Sequence, residues 1–206
     1  MNKRHRIFIA INLPAEIRRF LGGFEKKFPE LSMAQGDGEF SDFVPAPQAP
    51  VKWTKPENLY ITFIFLGDMT DIELGEVCMA VKNISEKYQA FTMNLRKIGY
   101  GPADKIPPRY IWAGGEVNQE AMALKKELED ALLQLVHFVP DKGVFSPHIT
   151  LARINGFAWR AINPEERPEI AQEIDLAFTV ESIEVMESEL KKDGPQYTII
   201  ESYSLK

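Results

Sequence analysis

The chain reads as an α+β protein: two pseudo-symmetric lobes of mostly antiparallel sheet, flanked by helices, with an active cleft between them. Three observations predict this. Strand-period and helix-period segments follow in the order strand, helix, strand, helix, strand, strand, helix, strand, strand, strand. A short word, a polar ring followed by Ile, Thr and an apolar run, occurs twice, as Tyr60-Ile61-Thr62 and His148-Ile149-Thr150. Each copy lies in a strand near a long helix. The 206 residues, 45% of them hydrophobic, suit one large domain or two small lobes sharing a core. Residues 1–206 are therefore read as a single bilobal domain.

The first strand runs from Arg6 to Leu13 and is rich in Ile and Phe. Pro14 suits the opening turn of a helix, and Ile17, Phe20, Leu21, Phe24 and Phe28 give that helix one apolar face. Gly22 and Gly23 weaken it. Residues 34–50 carry Gly, Pro, Ala and acidic residues with no period, which predicts a flexible loop. From Leu59 to Leu66 the pattern alternates, with Leu59, Ile61, Phe63 and Phe65 on one face and Tyr60, Thr62 and Ile64 on the other. A helix follows over Asp71–Tyr88, then strands over Phe91–Ile98 and Arg109–Ala113. Asn118 fits the N-cap of a helix reaching about Val136. His148–Ile154 is a strand, 156–170 is loop-like, and Phe178–Met186 and Tyr197–Leu205 are the last two strands.

A net charge of −6 and a pI near 5.2 argue against a broad basic face for long duplex nucleic acid. They leave room for a local basic cleft around a short anionic ligand. The single cysteine, Cys78, permits no internal disulfide and fits a reducing cytoplasm. The opening MNKRHRIFIAINLP is read as a strand and not as a secretory signal, and no apolar run is long enough for a membrane helix. Three histidines without close His/Asp/Glu spacing suggest neither a zinc nor a two-metal site.

In a strand, residues i and i+2 share a face. His148 and Thr150 therefore point together, as do Tyr60 and Thr62. Two such strands facing each other would place a ring and a hydroxyl from each side around one cleft. That set suits a phosphodiester: hydroxyls donate to the non-bridging oxygens, while groups on either side of phosphorus act as base and acid. Strict alternation turns Arg153 away from His148, so a strand bend is needed to bring it to the phosphate. Phe8 is a candidate for stacking on a base, with plain core packing the alternative. Arg109 and Trp112 are assigned to sheet packing, with Arg109 a weak ligand candidate. His5 reads as a solvated N-terminal residue in preference to a cleft residue, and His137 as a helix-end residue.

Five segments in order, RIFIAINLP, VKWTKPENLYITFIFLGD, PPRYIWAGG, FSPHITLARI and VMESELKKDGPQYTIIESY, resemble the two-histidine phosphoesterase superfamily. The likeness is to its 2'-5' RNA ligase branch, whose members are RNA 2',3'-cyclic phosphodiesterases. It covers nearly the whole chain. The resemblance implies two lobes, each supplying one His-x-Thr/Ser pair, and no cofactor or metal. His148 and Thr150 match the second pair, and Thr62 matches the hydroxyl of the first. Tyr60 stands where the family has its first catalytic histidine. The resemblance then implies His148 as base, Tyr60 as donor to the leaving oxygen, and Thr62, Thr150 and Arg153 as phosphate ligands. The expected substrate is an RNA end or nucleotide bearing a cyclic phosphate, acted on by a monomer in the cytoplasm. The alternative is an impaired member that binds phosphorylated RNA ends or nucleotides.

Overall fold

The computed structural model describes residues 4–32, 50–102, 105–141, 143–191 and 194–206. The predicted loop 34–50, apart from Pro50, lies outside these. The strands are β1 (His5–Asn12), β2 (Val51–Trp53), β3 (Tyr60–Met69), β4 (Phe91–Gly101), β5 (Tyr110–Gly115), β6 (His148–Ile154), β7 (Ala171–Val180), β8 (Ser182–Lys191) and β9 (Gly194–Ser204). The helices are α1 (Ala15–Gly22), α2 (Pro29–Ser32), α3 (Asp71–Ser85), α4 (Gln119–Leu132) and α5 (Gly156–Ala161).

The nine strands of the described residues join one sheet in the order β7-β4-β5-β6-β3-β1-β8-β9, with β2 paired to β6. Every pairing is antiparallel. From the middle outward the halves match: β3-β1-β8-β9 on one side, β6-β5-β4-β7 on the other. The motif strands β3 and β6 meet at one pair, Ile61 with Ile149. These are equivalent residues in the two copies of the motif, so the pseudo-twofold axis passes between them.

The core lies behind the sheet. Ile61, Ile149, Val77, Val81, Leu124 and Leu128 are all 0% exposed and belong to one apolar cluster shared by the sheet and the helices. Thr70 caps α3 through a reciprocal capping box with Glu73, and the Asn118 side chain caps α4 as predicted, accepting from the Ala121 N–H.

Four elements differ from the sequence expectation. The first helix does not run to Phe28. It ends at Gly22, where a Cβ would lie 2.6 Å from the Pro56 ring, and Phe20 is left 49% exposed. The segment 156–170 contains α5, capped by the Asn155 side chain. The predicted strand Phe178–Met186 is two strands, β7 and β8, broken at Glu181. The alternation in β3 fails after Thr62. There the β1 register slips, Ile9 facing Ile64 and Ala10 facing Thr62, so Phe63 has no partner in β1. A bulge of this kind flips the residues beyond it to the other face. Ile64 is consequently buried, and Phe65 is 54% exposed on the face of Tyr60 and Thr62.

The β6 strand does the same. Its register with β5 slips between Trp112–Thr150 and Ile111–Ala152, leaving Leu151 unpaired in that ladder. The burial sequence from Tyr60 to Phe65 repeats from His148 to Arg153: half-buried, buried, half-buried, buried, buried, exposed. This bulge is the bend that Arg153 requires. It brings the guanidinium round to the face of His148 and Thr150.

Candidate active site

The antiparallel register about Ile61 and Ile149 sets Tyr60 beside Thr150 and Thr62 beside His148. All four side chains are half-buried on the face away from the helices. The two copies of the motif therefore meet on one face of the sheet, with Arg153 at the rim.

The His148 ring is held from two directions. Its Nδ1 lies 2.9 Å from the Ser146 carbonyl oxygen. A carbonyl only accepts, so Nδ1 carries the proton, and the neutral ring keeps its free lone pair on Nε2. The Trp112 indole packs on the imidazole with centroids 4.1 Å apart at 31°. Trp112 stacks in turn on Tyr110 at 5.7 Å and 12°, and the Arg153 guanidinium carbon sits 5.9 Å above the Tyr110 ring. Four flat groups thus brace one another. Room for the indole comes from Gly101 on β4, where a Cβ would stand 2.2 Å from Cε3 of Trp112. Sheet packing is too narrow a role for Trp112, since it sets the tilt of His148. Its place on the motif face, two residues from Tyr110, is readable from alternation in β5. Arg109 is exposed, and its backbone joins neighbouring strands.

The opposite half-site is aromatic. The Tyr60 ring packs 5.1 Å from Phe8 and 5.0 Å from Tyr197, the latter edge-on at 79°. Burial first, then the neighbouring Tyr197 phenol, hold the Tyr60 proton far above the ordinary phenol value, while the positive charge of Arg153 acts the other way. Tyr60 is therefore a neutral donor at any physiological pH and never a base. Phe8 does not face a ligand. It is 2% exposed beneath Tyr60, Phe65 and Tyr197, and supports the wall of the site. The exposed ring on this side is Phe65, in the position equivalent to Arg153. Tyr197 escapes sequence reasoning because nothing in QYTII distinguishes a site tyrosine from a strand aromatic.

His5 is neither solvated nor in the site. It is 9% exposed, with Nδ1 2.7 Å from a Glu187 carboxylate oxygen and Nε2 3.0 Å from that of Asp71. It ties β1 to β8 and to the start of α3. His137 is exposed beyond the end of α4, as expected. Among the described residues no helix is long and apolar enough to cross a membrane.

The site brings together one imidazole, one tightly protonated phenol, two hydroxyls and one guanidinium. Residues 42–112 match the family model of LigT-like phosphoesterases. The chain is 30% identical over 206 residues to an RNA 2',3'-cyclic phosphodiesterase of Thermus thermophilus, an overlap of 98% of this chain and 90% of that protein. It is also 30% identical over 155 residues to the RNA 2',3'-cyclic phosphodiesterase of Aquifex aeolicus, covering 75% of this chain and 81% of that one. The solved structure of TT0787 from Thermus thermophilus superposes with a TM-score of 0.72 at 27% identity, over 97% of each chain. With likeness of this extent in both sequence and fold, the chain belongs to the RNA 2',3'-cyclic phosphodiesterase family.

Proposed function

We propose that the chain hydrolyses the 2',3'-cyclic phosphate of an RNA end or nucleotide to a 2'-phosphate, as a metal-independent monomer in the cytoplasm. The observation that carries this is the state of His148. With Nδ1 facing the Ser146 carbonyl, Nε2 is the nitrogen left to accept a proton, on the face shared with both threonines. Water loses its proton to Nε2 as its oxygen attacks phosphorus. Thr62 and Thr150 donate to the non-bridging oxygens, and Arg153 balances their charge. The bond from phosphorus to the ribose 3' oxygen breaks, and that oxygen takes its proton from Tyr60. With an RNA 5'-hydroxyl in place of water, the same groups serve 2'-5' ligation, the new bond forming between phosphorus and the 5' oxygen as the bond to the 3' oxygen breaks. A second reading is favoured by how firmly Tyr60 keeps its proton: a chain that binds cyclic-phosphate ends and turns them over very slowly.

The test incubates the protein, with a metal chelator present, with cyclic-phosphate-ended RNA and with a 2',3'-cyclic nucleotide. His148→Ala and Tyr60→His variants run alongside. Turnover that His148→Ala abolishes supports hydrolysis. A general acid is worth about 10²–10⁴-fold, so Tyr60→His should raise kcat within that range. Tight binding without turnover in wild type selects the second reading, and neither binding nor turnover in any form refutes both.

A further inference from the structure

The half-site without a histidine is a pair of phenols, and the second of them has no role in the reaction as described so far. Tyr197 lies on β9, three strands from β3 in the sheet order, yet its ring reaches across to Tyr60. It rests edge-on against Phe8 at 5.7 Å. With Met186 and Ala10, these rings form a small apolar cluster separate from the main core. A lone phenol here would leave a costly anion after giving up its proton, because an apolar surround solvates charge poorly. The Tyr197 hydroxyl, carried on a ring 5.0 Å from that of Tyr60, supplies a nearby neutral donor that can meet that anion.

We infer that Tyr197 is a positioning residue for the proton of the leaving group: its phenol oxygen accepts from the Tyr60 hydroxyl at rest and turns to donate to the Tyr60 oxygen once that proton has gone. The inference rests on the hydrolysis reading above. In the step itself, the water oxygen bonds to phosphorus and its proton passes to Nε2 of His148. The bond to the 3' oxygen breaks, and the Tyr60 proton moves to that oxygen. The Tyr60 phenolate is held by the Tyr197 hydroxyl on one side and the Arg153 charge on the other. The proton on His148 returns to Tyr60 through solvent, closing the cycle. No proton leaves Tyr197, which only reorients.

The test is a double-substitution cycle scored by kcat and KM on a cyclic-phosphate-ended oligoribonucleotide. Tyr197→Phe keeps the ring contacts and removes only the hydroxyl. Hydrogen bonds to charged groups are strong enough that kcat should fall roughly 10- to 100-fold with KM nearly unchanged. In the Tyr60→His background, where no phenolate forms, the same change should alter kcat by less than about threefold. Equal losses in both backgrounds, or a loss confined to KM, mean a structural role and overturn the inference. Wild-type turnover untouched by Tyr197→Phe overturns it too, and leaves the hydrolysis reading standing. A wild type without turnover overturns both.

Discussion

Gly101→Ala is a distant change that should reach His148 through one ring. The added Cβ would stand 2.2, 2.4 and 2.8 Å from Cε3, Cδ2 and Cζ3 of Trp112. Carbon atoms rest at about 3.5–4.0 Å, so the indole must retreat by about 1.3–1.8 Å. It cannot retreat freely, since Tyr110 stacks on one side and His148 on the other. Overpacking of this kind costs about 1–3 kcal/mol of stability. A displacement near 1 Å of a reacting group costs about 10²-fold in rate. The expected result is a folded protein, less stable by that amount in urea unfolding, with kcat down about a hundredfold and KM little changed. Adding Trp112→Val should restore stability, by making room, but not kcat, because His148 loses its support. A Gly101→Ala protein with wild-type stability and full kcat would refute the claim that the indole sets the imidazole.

Three further outcomes are expected. The wild-type rate should show no alkaline fall up to about pH 10, because Tyr60 keeps its proton far beyond the ordinary phenol range; Tyr60→His should add a descending limb. Burial also lifts Tyr60, and lifts Tyr88 and Tyr100 to about 12, so above about pH 10 the unfolded chain releases protons that the native one retains. Stability should therefore fall as pH rises through that range, with a shallower slope in Tyr60→Phe; equal slopes would count against the burial argument. His5→Ala should strip the nearly buried Glu187 carboxylate of its partner and lower stability by about 2 kcal/mol, with kcat unchanged by steady-state assay.

The motif pair was legible because ring-Ile-Thr carries its own alternation, and the order of segments around it placed both copies in strands. Arg153 was legible only as a condition, a bend that had to exist, because a bulge is written in the partner strand's register and not in local composition. The same limit hid the turn of Phe65 to the site face. The break at Glu181 escaped notice because apolar residues continue on both sides of it, from Phe178 to Met186. His5, Trp112 and Tyr197 owe their roles to residues far away in the chain: Glu187, His148 and Tyr60. No short window of sequence contains both members of any of those pairs.

One rung of the ladder, Ile61 against Ile149, joins β3 to β6. On either side of it, longer registers bind β3-β1-β8-β9 and β6-β5-β4-β7, with β2 also paired to β6. The aperture between Thr62 and Thr150 lies across that single rung, so a ligand held by both hydroxyls bridges the sheet where the fewest backbone pairs join its halves. The amide protons of Ile61 and Ile149 are then the gauge of that aperture, and their exchange with solvent should slow when a cyclic phosphate is bound.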